Sequence, residues 1–165
     1  MSTILPTAML LALAGCATTA GAGPAGETIS YETGPCFGAC PVYKVTVGPD
    51  GTGTFEGRRF TAVTGSSSFR LTPAQFRAFA AQLAPVRPAR GTVRYSGEAC
   101  RMMATDLPSA EVVWSGSGGE RRLYFYFGCD MERNRALAAR LRAAPRLLPI
   151  AEMIGRPGAV AVERP

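Results

Sequence analysis

The sequence contains no histidine and only one lysine, Lys44, among its 165 residues. Without histidine the chain cannot form a Ser-His or Cys-His nucleophile pair, use an imidazole as a general base, or bind a metal through an imidazole. Long runs of charge are also lacking, because no block of like charge exceeds two residues, although the net charge is +6. We therefore expect no basic tail, although the positive net charge permits binding to acidic surfaces. What remains is a sequence that is 47 % hydrophobic, which is enough for the core of one ordinary domain.

The N-terminal segment resembles the leader of a lipoprotein. Residues 4–15 are uncharged and apolar, too few to span a bilayer but as many as the apolar region of a signal peptide. They end in Leu-Ala-Gly followed by Cys16, which resembles a bacterial lipobox, where the cysteine is lipidated and becomes the first residue. The sequence thus predicts a signal peptide over residues 1–15 and lipid attachment at Cys16. An ordinary secretory signal with a chance cysteine is the alternative.

The rest of the chain divides by composition. Residues 16–27 are small, polar or flexible and predict a tether between the lipid and the domain. Ala17 stands where an aspartate signals retention in the inner membrane of enterobacterial lipoproteins, so we expect an outer-membrane protein facing the periplasm. Residues 28–154 form the predicted domain, and residues 155–165 form a C-terminal tail.

Periodicity predicts two β-hairpins. Apolar residues alternate with polar ones on both sides of the turn at residues 48–51, and again on both sides of the glycine-rich turn at residues 116–119. A helix is predicted from Thr72, where Pro73 and Gln75 complete a capping box. A second helix is predicted after Asp130, which can serve as its N-cap. The expected fold class is α+β: an antiparallel sheet from two hairpins, in the order hairpin, helix, hairpin, helix, with the helices packed on one face. Residues 86–110 are expected to be mostly irregular.

Four cysteines follow the lipobox, and in an exported domain four cysteines predict two disulfides. Prolines flank Cys36 and Cys40, and Gly38 between them lets the loop fold back, so this pair can bond. Cys100 precedes a predicted strand and Cys129 ends one, so they can meet. We favour the pairs 36–40 and 100–129. Crossed disulfides, a structural zinc site and a redox-active Cys36/Cys40 pair remain as alternatives.

A resemblance to a known family rests on two segments. The first, Gly34–Tyr43, reads Gly-Pro-Cys-Phe-Gly-Ala-Cys-Pro-Val-Tyr and is followed by Asp-Gly-Thr-Gly at residues 50–53 and Glu-Gly at residues 56–57. The second, residues 105–109, reads Thr-Asp-Leu-Pro-Ser. Together they resemble a bacterial domain-of-unknown-function family whose members are often exported proteins or lipoproteins. The resemblance covers roughly residues 28–145 and implies no activity, substrate or cofactor. It does imply that Cys100 pairs with Cys129, because many relatives lack both of these cysteines and keep the first pair.

These features predict a membrane-anchored envelope lipoprotein that acts as a non-catalytic binding or structural module, with no cofactor, no metal ligands and no catalytic residues. Its expected partners are the bilayer, through acylated Cys16, and an envelope protein or an anionic cell-wall or lipid surface. No nucleic-acid partner is expected for an exported protein. The residues that suggest an anionic surface are the arginines near the second helix, at positions 133, 135, 140, 142 and 146. The residues that suggest a binding face on the second hairpin are Trp114, Tyr124 and Tyr126.

The alternative is a periplasmic enzyme or a thiol-redox protein. In the absence of histidine, an enzyme would depend on carboxylates. The candidates are Asp106, Glu98, Glu111 and Asp130, and a redox protein would use the Cys36/Cys40 pair. We expect the protein not to be an enzyme, because no set of catalytic residues is evident.

Overall fold

A computed structural model describes residues 26–155 of the chain. The predicted signal peptide over residues 1–15, the lipid attachment site at Cys16, almost all of the tether over residues 16–27 and nearly all of the tail over residues 155–165 lie outside these described residues.

The described residues form one sheet and three α-helices. The strands are β1 (Thr28–Thr33), β2 (Val42–Val47), β3 (Thr52–Arg59), β4 (Gly65–Arg70), β5 (Gly91–Tyr95), β6 (Ser109–Gly116) and β7 (Gly119–Tyr126). The helices are α1 (Pro73–Leu83), α2 (Arg135–Ala143) and α3 (Ala151–Ile154). The strand order is β4-β3-β2-β1-β6-β7-β5, and every neighbouring pair is antiparallel except β5 and β7, which run parallel.

The predicted fold class, in which two hairpins alternate with two helices, is wrong. β1 pairs with β2 on one side and with β6 on the other, so that it joins both hairpins into one seven-stranded mixed sheet. β4 extends one edge, and β5 extends the other edge from within residues 86–110, which were expected to be irregular. Both edge strands are mostly exposed, so neither carries the apolar alternation by which a half-buried strand is recognised.

The core lies between the sheet and α1 and α2. Alternate residues of the central strands point into it, while their neighbours form the polar opposite face. The hydroxyl of Tyr31, on the central strand, donates a hydrogen bond of 3.1 Å to the carbonyl of Leu141 in α2. This bond satisfies a buried phenol, and burial raises the pKa of Tyr31 far above that of a free tyrosine. The sheet is thereby tied to α2 through its middle strand.

The predicted start of the first helix is confirmed. The Thr72 hydroxyl accepts a hydrogen bond from the backbone N–H of Gln75, and the Gln75 side chain accepts one from the backbone N–H of Thr72. The predicted cap of the second helix is wrong, because α2 begins at Arg135 and Asn134 occupies its N-cap position. Asp130 lies in the preceding loop, where its carboxylate has a different use.

Candidate functional site

The two ends of the sheet differ in character. At one end, four loops lie side by side: residues 34–41, 60–64, 96–108 and 127–134, which follow or precede β1, β3, β6 and β7. We call this the loop end. At the opposite end, which we call the turn end, β1 begins beside the tight turns of the two hairpins. With strands about 4.8 Å apart, the loop end extends over about 20 Å.

Exposed apolar side chains are concentrated at the loop end. Of the seven large hydrophobic side chains that are exposed among the described residues, five lie in its four loops. Phe37 is 87 % exposed and Met102 is 77 % exposed. The five residues are Phe37, Phe60, Met102, Met103 and Met131. Scattered exposed apolar residues are ordinary, whereas their concentration at one end makes that end the candidate for an interaction surface.

Two disulfides hold three of the four loops at this end. Disulfide bonds join Cys36 to Cys40, with Cα atoms 5.7 Å apart, and Cys100 to Cys129, with Cα atoms 5.3 Å apart. These are the pairs favoured from the sequence. The Thr33 hydroxyl closes the base of the first loop by donating to the carbonyl of Pro41, over 2.8 Å, while accepting a bond from the next strand.

The two segments that carry the family resemblance meet at the loop end. The backbone N–H of Gly34 donates to the carbonyl of Ser109 over 2.9 Å, and the N–H of Phe37 donates to the carbonyl of Asp106 over 3.3 Å. Asp106 has a positive φ of 69°, which turns its backbone toward the first loop. The ring of Phe37 is therefore exposed, whereas its backbone is held by the hydrogen bond to Asp106 and by the disulfide between Cys36 and Cys40.

Asp130 organises the other half of the loop end. Its φ is positive, at 41°, and its carboxylate accepts hydrogen bonds from the backbone N–H groups of Met102, over 2.8 Å, and Arg101, over 3.1 Å. These bonds, with the nearby guanidinium of Arg133, hold the pKa of Asp130 below its usual value. The group is thus a carboxylate at neutral pH.

Beside it lies an open cavity of about 430 Å³, lined by residues 101–104, Gly128 and residues 130–133.

The carboxylates considered for an enzyme are largely occupied with structural contacts. Glu111 lies on the polar face of the sheet, where its oxygen is 3.0 Å from a guanidinium nitrogen of Arg122. Asp106 accepts a hydrogen bond from the Thr105 hydroxyl, and Asp130 holds the Met102 loop as described. Glu98 lies in a short 3-10 turn over Gly97–Ala99. None of these contacts indicates a general acid or base.

The residues considered for binding are also partly used within the protein. Arg140 donates to the carbonyl of Gln82 over 3.0 Å, and the guanidinium of Arg142 stacks 4.5 Å from the centre of the Phe127 ring. Two of the five arginines near α2 are thus engaged by the domain itself. Trp114 is buried in the core and cannot line a surface.

Tyr124 and Tyr126 do lie on the polar face of the sheet, away from the helices. The Arg94 guanidinium lies 4.0 Å from the centre of the Tyr124 ring, and the Tyr126 hydroxyl accepts a bond from the N–H of Leu107. Both tyrosines therefore have contacts within the sheet and its loops.

Over residues 26–155 there is no group of three or more His, Cys, Asp or Glu side chains that could hold a metal ion. Among the helices of that same part of the chain, none is both long and apolar enough to cross a membrane.

Sequence reasoning identified the cysteines of this site but missed its methionines. Met102 and Met103 are adjacent, whereas Met131 is distant in sequence. An isolated antiparallel bridge between Met103 and Cys129 brings the two segments together. The adjacent methionines were the feature of the sequence that could have suggested a methionine site, but nothing in the sequence places Met131 beside them.

Comparison with known proteins adds a family but no activity. The sequence model of a family described as a domain of unknown function (DUF6438) matches residues 27–145. That span includes the whole sheet, both disulfides and α2. No curated protein matches the sequence.

Proposed function

Since the chain belongs to this family of unknown function, we propose its role from its own residues: it is a bacterial envelope lipoprotein, anchored through Cys16, whose domain is a non-catalytic module that binds a protein partner. The binding surface is the loop end. The observation that carries the proposal is the concentration of exposed apolar side chains on four neighbouring loops, three of which are held by disulfides.

A protein partner suits the chemistry of the loop end. Aromatic side chains that enter a pocket of the partner supply much of the binding energy in protein interfaces. Phe37 is exposed on a loop that is already ordered by a disulfide and by the hydrogen bonds of Thr33, so binding need not order that loop. An anionic polymer is less favoured, because Arg140 and Arg142 are already engaged within the domain.

The place where the predicted tether joins the domain supports the choice of the loop end as the binding surface. β1 begins at Thr28, at the turn end, so the first described strand starts on the side opposite the loop end. Cys16 and Thr28 are 28 − 16 = 12 residues apart in the sequence. A fully extended chain of that length reaches about 40 Å. The loop end is thus free to meet a partner while the protein stays on its membrane.

The anchor is tested by Cys16→Ala. We expect the variant to incorporate no labelled palmitate and to leave the membrane fraction, because each buried methylene of an acyl chain contributes about 0.8 kcal/mol. Thr18→Ala, two residues further along, is the matched control and should stay lipidated. Mass spectrometry of the mature N-terminus provides the decisive measurement. A protein that begins at Met1, or at another residue without lipid, contradicts the proposal.

The binding surface is tested by photo-crosslinking in intact cells. A photoreactive amino acid at Ala39, which is exposed on the Phe37 loop, should capture a defined protein. Phe37→Ala in the same chain should reduce that capture at least tenfold, and Phe37→Tyr should retain most of it. The control probe stands at Pro49, exposed at the turn end.

Capture that is equal from position 49, or that survives Phe37→Ala unchanged, contradicts the assignment of the loop end. Phe37→Ala is a clean variant because the ring is almost fully exposed, so its removal should leave the melting temperature unchanged.

A further inference from the structure

We propose that the cavity at the loop end is a site for the soft monovalent ion Cu(I), bound by the thioether sulfurs of Met102, Met103 and Met131. This goes beyond the proposed function and does not depend on the lipid anchor. The inference rests on where the methionines lie, on the donor chemistry of the chain and on the charge around the cavity.

The methionines of the described residues are unevenly placed. There are four between positions 26 and 155, and three of them line the same cavity. All three are at least half exposed, although methionine is usually a buried residue. The fourth, Met153, packs against the core. Three exposed thioethers around one opening of about 430 Å³ are better explained by a ligand than by packing.

The backbone holds the three positions close together. Met103 pairs with Cys129 across an antiparallel bridge, and the N–H of Asp130 donates to the carbonyl of Met102 over 2.9 Å. Paired residues in such a bridge have Cα atoms about 5 Å apart, and Met131 stands two residues after Cys129. A methionine side chain has three rotatable bonds, so sulfurs from these positions can turn toward one ion. The Cys100–Cys129 disulfide prevents the two segments from separating.

The donor chemistry selects the ion. Thioethers bind Cu(I), whereas Mg²⁺ and Ca²⁺ require oxygen ligands and Zn²⁺ prefers thiolate or imidazole. The chain has no histidine, and the four cysteines of the described part are paired in disulfides. Methionine is therefore the soft donor that this domain offers.

The charge around the cavity does not oppose a cation. Two arginines and two acids line it, so their formal charges cancel. The acids are Asp130 and Glu132, and the arginines are Arg101 and Arg133.

Binding is a ligand exchange in which Cu(I) leaves a weak carrier ligand such as acetonitrile. No electron moves, and no proton is released because a thioether carries none.

The competing explanation is that the methionines form only an apolar floor for a protein partner. Methionine-to-leucine substitution separates the two explanations, because leucine keeps the volume and the apolar character but has no sulfur. If the thioethers bind the metal, the leucine variants should lose the metal and keep the fold. If the methionines form only an apolar floor, the leucine variants should still bind the protein partner.

The test uses the full chain carrying Cys16→Ala, because the thiol of an unlipidated Cys16 would itself bind Cu(I). Cu(I) in acetonitrile is added without oxygen, with Ag(I) as a redox-inert probe, and the ¹³C-labelled methionine methyl groups are followed by NMR. We expect one ion per chain, shifts of the Met102, Met103 and Met131 methyls, and none of Met153. Affinity measured against a Cu(I) chelator should be the same at pH 5 and pH 7.

The triple variant Met102→Leu/Met103→Leu/Met131→Leu should bind Cu(I) at least 100-fold more weakly, and Met153→Leu should bind it normally. If the triple variant does not fold, Met131→Leu alone should weaken binding about tenfold. The proposal is overturned if chelator retains all the copper, if a folded leucine variant binds as well as the parent, or if Met153 shifts with the other three. None of these outcomes bears on the anchor or on crosslinking from position 39.

Discussion

Replacing Gly57 by alanine is expected to lower the free energy of unfolding by about 3 kcal/mol, at the upper end of the range for overpacking. A Cβ atom at this position would lie 1.8 Å from the carbonyl oxygen of Val63 and 2.7 Å from the hydroxyl of Thr61. The first of these is backbone and cannot rotate away. Thr61 also donates a hydrogen bond to that same carbonyl, over 2.9 Å, so the loop that would have to move is held from within.

The effect should extend to the C-terminal helix. The backbone N–H groups of Ala62 and Val63 donate to the carbonyls of Ile154 and Met153, so α3 is attached to the loop that the new methyl group would displace. Gly118→Ala is the matched control. The φ of Gly118 is not positive, and a Cβ atom there would lie 3.9 Å from its nearest neighbour, so the midpoint of urea unfolding should hardly change. Urea unfolding of the full chain carrying Cys16→Ala gives the measurement. Equal midpoints for the two alanine variants would contradict the close approach at Gly57.

Gly57 belongs to a set of glycines at which a Cβ atom would collide with a neighbouring backbone or side-chain atom. Gly51 has a φ of 80°, and a Cβ there would lie 2.4 Å from the carbonyl oxygen of Leu71. Gly53 lies under the ring of Phe69, and Gly34 lies against Ser109. These glycines belong to the first hairpin and its loop, around the segment that resembles the family, and each is explained by folding alone. A functional role is better sought in what the same segment leaves exposed, which is Phe37.

Local signals in the sequence were enough to predict some elements. The capping box at Thr72 and the turns at residues 48–51 and 116–119 depend on residues within a few positions of each other, and the structure has all three. The sheet order could not be predicted in this way. β1 lies between β2 and β6 because Tyr31 and its neighbours complete a core built from both halves of the chain, a contact that no local pattern records.

The candidate site was predictable to a similar extent. Four cysteines predict two disulfides in a chain that is expected to be exported, and prolines and glycine mark the first loop. Neither the clustering of the loops at one end nor the cavity follows from spacing, because both depend on the strand order and on the bridge between Met103 and Cys129. Asp130 illustrates the difference. Its residue type suggested a helix cap, but its positive φ directs its carboxylate to the Met102 loop instead.

Removing the Cys100–Cys129 disulfide by a double serine substitution is expected to lower the free energy of unfolding by about 3.5 kcal/mol, and removing Cys36–Cys40 by about 2 kcal/mol. The sequence separations are 29 and 4 residues, so the first bond closes the larger loop in the unfolded chain. The difference of roughly 1.5 kcal/mol follows from that loop size alone in the chain-entropy model. Urea unfolding of both double variants, with Cys16→Ala in every chain, measures it. Equal losses, or the reverse order, would contradict this account.

The same bonds separate a structural role from the thiol-redox alternative. No histidine is available to activate a thiolate, and the Cys36–Cys40 loop leads into a strand, not into the N-terminus of a helix, where a cysteine would gain a lowered pKa. We therefore expect purified protein to show both bonds in non-reducing peptide maps and to have no turnover in an insulin-reduction assay. A peptide linking residues 36 and 129, or 40 and 100, would contradict the pairing. Robust insulin reduction that is lost in the Cys36→Ser/Cys40→Ser variant would instead make the first loop a redox centre, with Phe37 beside the reactive bond.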